Sequence, residues 1–147
     1  MYYFAYGSNM NWPQMKQRCP SARFVSVACL NEHLFAITRQ SWRRLCGTAD
    51  VVPESGSEVW GILYDIDDSE VGALDSFEDG YRRKEMPVVL NSDSRRPLKA
   101  WIYVAEREAD PPLPNAVYKR LMVEGARYWG LPQAYIEMLE TLEVAME

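Results

Sequence analysis

The chain has 147 residues, about half of them apolar and a quarter charged, with 16 basic against 21 acidic side chains. That length is enough to bury a real core, and a formal net charge of −5 speaks against a nucleic-acid or anionic-membrane partner, since both need a concentrated basic face. The start Met1-Tyr2-Tyr3-Phe4 carries no basic leader, and no long apolar segment follows, so a cytoplasmic protein without a membrane partner is expected.

Residues 2–6 form a short aromatic-rich run that breaks at Gly7-Ser8-Asn9, as a buried strand entering a turn does. Pro13 suits the first turn of a helix, with Asn11 as its cap and residues 14–18 as its body. Residues 24–30 and 32–38 read as two strands, and the polar, glycine-containing stretch 41–50 as a loop. Residues 59–66 (VWGILYDI) give the strongest strand signal. Asp67-Asp68-Ser69 then offers caps for a short helix that runs to about Phe77 and ends at Gly80. Residues 86–90 and 99–105 are two more strands, joined through a polar turn at 91–96.

From Pro114 onward the period lengthens. Tyr118, Leu121, Met122, Gly125, Tyr128 and Trp129 mark one helical face, and Gly130 is placed to terminate it. Pro132 opens a second helix, where Tyr135, Met138, Leu139 and Leu142 repeat at helical spacing. No repeat or linker interrupts the chain, so residues 1–147 are expected to form a single domain. Strands precede the long helices, which gives an α+β class with a mixed or mainly antiparallel sheet.

Some chemistry is poorly supported. Cys19, Cys29 and Cys46 lack CxxC spacing, and His33 is the sole histidine, which argues against a zinc site or a Cys-His nucleophile. The cysteines read as reduced, partly buried thiols. Arg43–Arg44, Arg82–Arg83 and Arg95–Arg96 read as solvated loop charges. Trp60, Trp101 and Trp129 read as core, whereas Trp12 and Trp42 could line a cleft or a dimer face.

Two constellations remain. Tyr6-Gly7-Ser8-Asn9 lies between a strand and a helix, where amides following glycine can share one space and hold a carboxylate or an oxyanion. Ser8 and Asn9 add short polar side chains. Alone, this is also the composition of an ordinary turn. The second is Leu74-Asp75-Ser76-Phe77-Glu78-Asp79-Gly80-Tyr81. There Glu78 would sit at the C-terminal end of a helix, beside Asp79 and under Phe77 and Tyr81, all of which favour a more basic carboxylate. Alone, an exposed and idle helix-end acid fits equally. Asp75 would be a helix-surface residue or a cap partner.

The ordered set YFAYGSNM (3–10), RCPSA (18–22), VWGILYDI (59–66), LDSFEDGYRR (74–83) and YKRLMVEGARYWGLPQAYIEML (118–139) resembles the γ-glutamyl cyclotransferase family, which includes AIG2-like proteins and γ-glutamylamine cyclotransferases. The resemblance implies a small mixed, mainly antiparallel β-barrel with flanking helices. It implies substrate binding by Tyr3, Phe4, Ala5, Tyr6, Gly7, Ser8 and Tyr118, with Glu78 as catalytic acid/base. It also implies a small-molecule γ-glutamyl substrate and no metal or organic cofactor. By spacing alone Tyr118 is a core residue.

The implied reaction closes 5-oxoproline from a γ-glutamyl amide and releases an amine. The leaving group stays open between an amino acid, a lysine ε-amine, Cys-Gly and other amines, with size selection expected from residues 41–50 and 91–96. A non-catalytic binder of the same fold and a partner-binding domain are the rival readings. A homodimer also stays open.

Overall fold

A computed structural model describes residues 1–146. Its five strands are β1 (Tyr2–Ala5), β2 (Arg23–Ser41), β3 (Cys46–Asp65), β4 (Tyr81–Leu90) and β5 (Pro97–Ala105). They close into a barrel in the order β1-β3-β2-β4-β5. All pairings are antiparallel except the closing one, where β1 runs parallel to β5 with Tyr3 opposite Trp101. The architecture is therefore the small, mixed, mainly antiparallel barrel with flanking helices that the sequence led us to expect.

The differences lie in the long central hairpin. Residues 24–30 and 32–38 are one continuous strand, β2, whose register against β3 shifts between Asn31 and His33. Glu32, with a left-handed φ of 61°, is the single β2 residue facing the four at 54–57 that β3 inserts there. A polar Asn-Glu pair that reads as a break is thus a bulge inside a strand. The expected loop at 41–50 shrinks to a turn at 42–45, because β3 already begins at Cys46.

Residues 46–50 look polar but are buried. Asp50 is fully buried there because its carboxylate is saturated. Oδ2 accepts from Arg107 Nε (2.7 Å) and Thr38 Oγ1 (3.0 Å), and Oδ1 accepts from the Val51 and Ala105 amides. β4 likewise starts five residues early, at Tyr81; the charges at 82–85 belong to a mostly solvent-facing stretch of strand.

The helices are α1 (Trp12–Arg18), α2 (Val71–Asp75), α3 (Ala116–Trp129) and α4 (Gln133–Glu140). Asn11 caps α1 by accepting from the Gln14 amide (3.2 Å), and Pro13 occupies its first turn. Asn115, unremarked in the sequence, caps α3 through the Tyr118 amide (2.8 Å). α2 has no side-chain cap and ends at Asp75, short of Phe77. Residues 76–80 then descend as a turn closed by Gly80, whose φ of 79° few other residues tolerate. Leu142 falls beyond the end of α4.

α3 fixes the segment that follows β1. Tyr118, Met122 and Gly125 are buried on its inner face, whereas Tyr128 is 66% exposed. Gly125 lets the helix lie directly on the Met10 carbonyl and the Asn11 nitrogen. Trp129 Nε1 donates to the Met10 carbonyl (3.1 Å), and Tyr64 OH donates to the Asn9 carbonyl (2.8 Å). Trp12 stacks on Tyr64 and meets Trp129 edge-on, so it is packing; Trp42, 65% exposed, stands on the hairpin turn. Trp60 and Trp101 are half-buried. The three cysteines are buried and unbridged, and burial pushes the Cys29 thiol up to about 12. Among the described residues, no helix is long and apolar enough to cross a membrane.

Candidate active site

Five segments meet around one cleft: the turn after β1, α1, the 42–45 hairpin turn, the turn at 76–80, and the start of α3. The cleft is open at its mouth, and the space in it, counted out to that mouth and including open solvent, is about 520 Å³. Tyr3, Tyr6, Gly7, Ser8, Glu78 and Tyr118 all line it. Phe4 and Ala5 do not. They are buried in the barrel wall behind the cleft, where the Phe4 ring and the Ala5 carbonyl close against Gly61.

The two stretches that the sequence keeps far apart are joined directly. Asn9 Nδ2 donates to Glu78 Oε1 at 3.4 Å and to Tyr3 OH at 3.0 Å. Asn9 Oδ1 accepts from Gln14 Nε2 (3.0 Å) and Arg18 NH1 (3.3 Å), which fixes the amide's orientation. Glu78 is held through its backbone as well. Its N–H donates to the Asp75 carbonyl (2.9 Å), and its own carbonyl accepts from the Tyr81 amide (3.1 Å).

Burial pushes the Glu78 carboxyl up to about 7, against the pull of Arg18 and Arg44 and with a smaller push from Asp75. The direction is the one expected, but the causes differ. Asp79 is exposed and does not contribute, and the helix already ends three residues earlier.

Asp75 is neither a free surface residue nor a cap. Its Oδ1 accepts from Tyr103 OH (2.6 Å) and from Arg83 Nε (2.8 Å), tying the short helix to β4 and β5. Tyr6 OH donates to the Tyr103 carbonyl, and Tyr81 OH to the Ala49 carbonyl (2.6 Å). Tyr118 OH accepts from the Ala49 amide (3.0 Å) beneath Gly7, where an added Cβ would stand 3.3 Å from that hydroxyl. These phenols lose their ordinary acidity by burial and serve as neutral donors and acceptors.

The family described as Gamma-glutamyl cyclotransferase, AIG2-like matches residues 3–120. A protein named Gamma-glutamylcyclotransferase from Homo sapiens is 31% identical over 151 residues, spanning 96% of this chain and 78% of that one. Its namesake from Mus musculus is 32% identical over 149 residues, with the same coverage. The chain belongs to the γ-glutamyl cyclotransferase, AIG2-like family. A solved structure titled Gamma-glutamyl cyclotransferase superposes on it with a TM-score of 0.91 at 28% identity, covering 100% of this chain and 90% of that one.

In this γ-glutamyl cyclotransferase-family chain the cleft also contains residues that sequence reasoning passed over. Arg44, read as a solvated loop charge, points inward from the hairpin turn. Arg18 lies over the Phe77 ring (4.5 Å to its centroid), and Arg43 lies over the same ring at 4.8 Å. Nothing in the spacing of Arg43 and Arg44 marks them, since only the hairpin register brings them here; Arg18 comes from the end of α1. Residues 41–50 supply Ser41, Arg44, Thr48 and Ala49 to the lining, whereas 91–96 supply none.

Asp75→Asn keeps the acceptor oxygen for Tyr103 and Arg83 but removes a negative charge near Glu78. The acid limb of the activity profile should then move to lower pH, because the charge that disfavours ionised Glu78 is gone. A pH series of kcat/KM on the variant reads this directly, and an unchanged or raised midpoint would contradict it.

Proposed function

We propose that the chain cyclises a γ-glutamyl amide to 5-oxoproline and releases the amine, with Glu78 as general base and then general acid. One observation carries this reading: a carboxyl group lifted to about 7 faces the N-terminal turn across a small-molecule cleft. A pure binder of a zwitterionic ligand has no need of such a base.

The substrate's α-ammonium gives a proton to the Glu78 carboxylate, and the freed amine attacks its own γ-carbonyl carbon. The new C–N bond closes a five-membered ring, and the carbonyl oxygen becomes an oxyanion. As the oxyanion collapses, the bond to the leaving nitrogen breaks and that nitrogen takes the proton back from Glu78. The ring nitrogen then gives its second proton to the same carboxylate, which passes it to the released amine and leaves 5-oxoproline with one N–H. Nucleophile and electrophile share one molecule, so the cleft's main task is to hold the chain folded; orientation of this kind is worth on the order of 7–11 kcal/mol.

The lining favours a folded substrate. Tyr3, Tyr103 and Tyr118 are immobilised by their own packing and hydrogen bonds, and they close the space around a small ligand. Buried, unbridged thiols fit the reducing conditions of the cytoplasm, where we place the reaction.

A panel of γ-glutamyl compounds that differ in leaving amine, assayed for 5-oxoproline, tests the reading. At least one should cyclise with turnover proportional to enzyme. If every compound survives intact while 5-oxoproline still binds, the protein is a binding module.

A further inference from the structure

We propose that Arg44 is the residue through which the cleft selects a substrate α-carboxylate, together with the Ser8 hydroxyl. The proposal rests on the γ-glutamyl reading and assigns it a specificity determinant.

Arg44 reaches the cleft from the turn between β2 and β3, far in sequence from the other lining segments. Its NH2 donates to Ser8 Oγ (3.1 Å) and Gln14 Oε1 (2.8 Å), and its guanidinium carbon lies 5.2 Å from the centroid of the Tyr118 ring. Every one of these partners is neutral. Among the described residues no ion pair includes Arg44, although nine carboxylate pairs form elsewhere. Glu78 is close enough to feel this charge but makes no contact with it, so a partly buried guanidinium whose direct partners are all neutral still gains from an anion delivered by a ligand.

Ser8 strengthens the case. Its Oγ accepts from both Arg44 NH2 and Gln14 Nε2 (2.9 Å), which uses its acceptor capacity. The hydroxyl proton is left to donate outward, into the cleft that Ser8 lines. Two further donors, Arg44 Nε and NH1, have no acceptor among the described residues.

A cluster of donors without an acceptor is complementary to an anion. The fixed full charge of Arg44 matches a permanent carboxylate better than a transient oxyanion. Glu78 faces Asn9 and the Arg18 side of the cleft instead. The substrate's α-carbon carries both the carboxylate and the reacting amine, so gripping the first at Arg44 presents the second to Glu78.

The test compares wild type, Arg44→Gln and Arg44→Lys on a matched pair of γ-glutamyl amides bearing an α-carboxylate or an α-carboxamide. A third compound carries its only carboxylate on the leaving group. Wild type should prefer the α-carboxylate by roughly 10–100-fold in kcat/KM, the usual value of a hydrogen-bonded charge. Arg44→Gln should lose most of that preference, the loss falling on the α-carboxylate compound. Arg44→Lys, which keeps the charge but not the fork, should retain part of it.

Calorimetry with 5-oxoproline and its carboxamide should show the same collapse of discrimination without any turnover. Retention of the wild-type preference in Arg44→Gln would overturn the assignment. So would a preference that follows the leaving-group carboxylate. Absence of turnover on every compound counts against the proposed reaction alone, since the calorimetry still decides the role of Arg44.

Discussion

Glu78→Gln is expected to lower kcat by roughly 10²–10⁴-fold, the usual value of a positioned acid/base, with little change in affinity for 5-oxoproline. The substitution is isosteric, and a glutamine carbonyl can still accept from Asn9 Nδ2, so the joint between the two segments survives. The protein should also become more stable. Burial raises the folded carboxyl from 4.5 to about 7, so folding opposes ionisation. The native state therefore holds an extra proton between those limits. That contribution is fully present below pH 4.5 and is lost as pH rises through 7.

Glutamine carries no such penalty. Its melting temperature should exceed that of wild type at pH 8, reflecting a stability gain bounded at ~3 kcal/mol, and should match it near pH 4. Meanwhile the wild-type rate should climb through pH 7 as Glu78 ionises, and the residual rate of the variant should show no such limb. A variant that turns over normally would remove Glu78 from the chemistry, and equal melting at pH 8 would remove the buried charge.

What the sequence discloses and what it hides follow from the range of the interactions involved. Local signals are legible. Asn11 and Pro13 open α1, Gly130 closes α3, and 59–65 lies in a strand, because each is written within a few residues. Glu78 could be named because its segment resembles a known one.

The hidden part depends on cross-strand register. Residues 46–50 look like a loop because the partners that match their polarity are distant in sequence: Thr38 on β2, the Ala105 amide at the end of β5, and Arg107 just beyond it. Arg44 looks solvated until the hairpin folds it over Ser8. Asn9 was visible as a polar turn residue, but its role as the link to Glu78 requires two distant segments to meet. Asp75 is a similar case, since its partners Tyr103 and Arg83 lie on strands still to come in the chain.

Gly125→Ala should show how far α3 controls that meeting. In an isolated helix the change would help, since alanine is favoured over glycine by about 1 kcal/mol. Here a Cβ at position 125 would overlap the carbonyl of Met10 and the nitrogen of Asn11, both backbone atoms that cannot swing aside. Either α3 withdraws or the turn after β1 moves.

Withdrawal breaks the Trp129 bond to the Met10 carbonyl, and movement of the turn carries Asn9 and Ser8 away from Glu78 and Arg44. Overpacking of this sort costs about 1–3 kcal/mol. In a chain of this size each kcal/mol lowers the melting temperature by roughly 2–4 °C. A displacement of ~1 Å in the turn costs about 10²-fold in rate.

Gly72→Ala is the control, because nothing lies within 4 Å of a Cβ built there, inside α2. It should leave both rate and stability unharmed. Thermal melts and kcat on the pair distinguish a general intolerance of alanine from the specific contact. A Gly125→Ala enzyme that melted and turned over like wild type would mean that the turn holds its place without the helix.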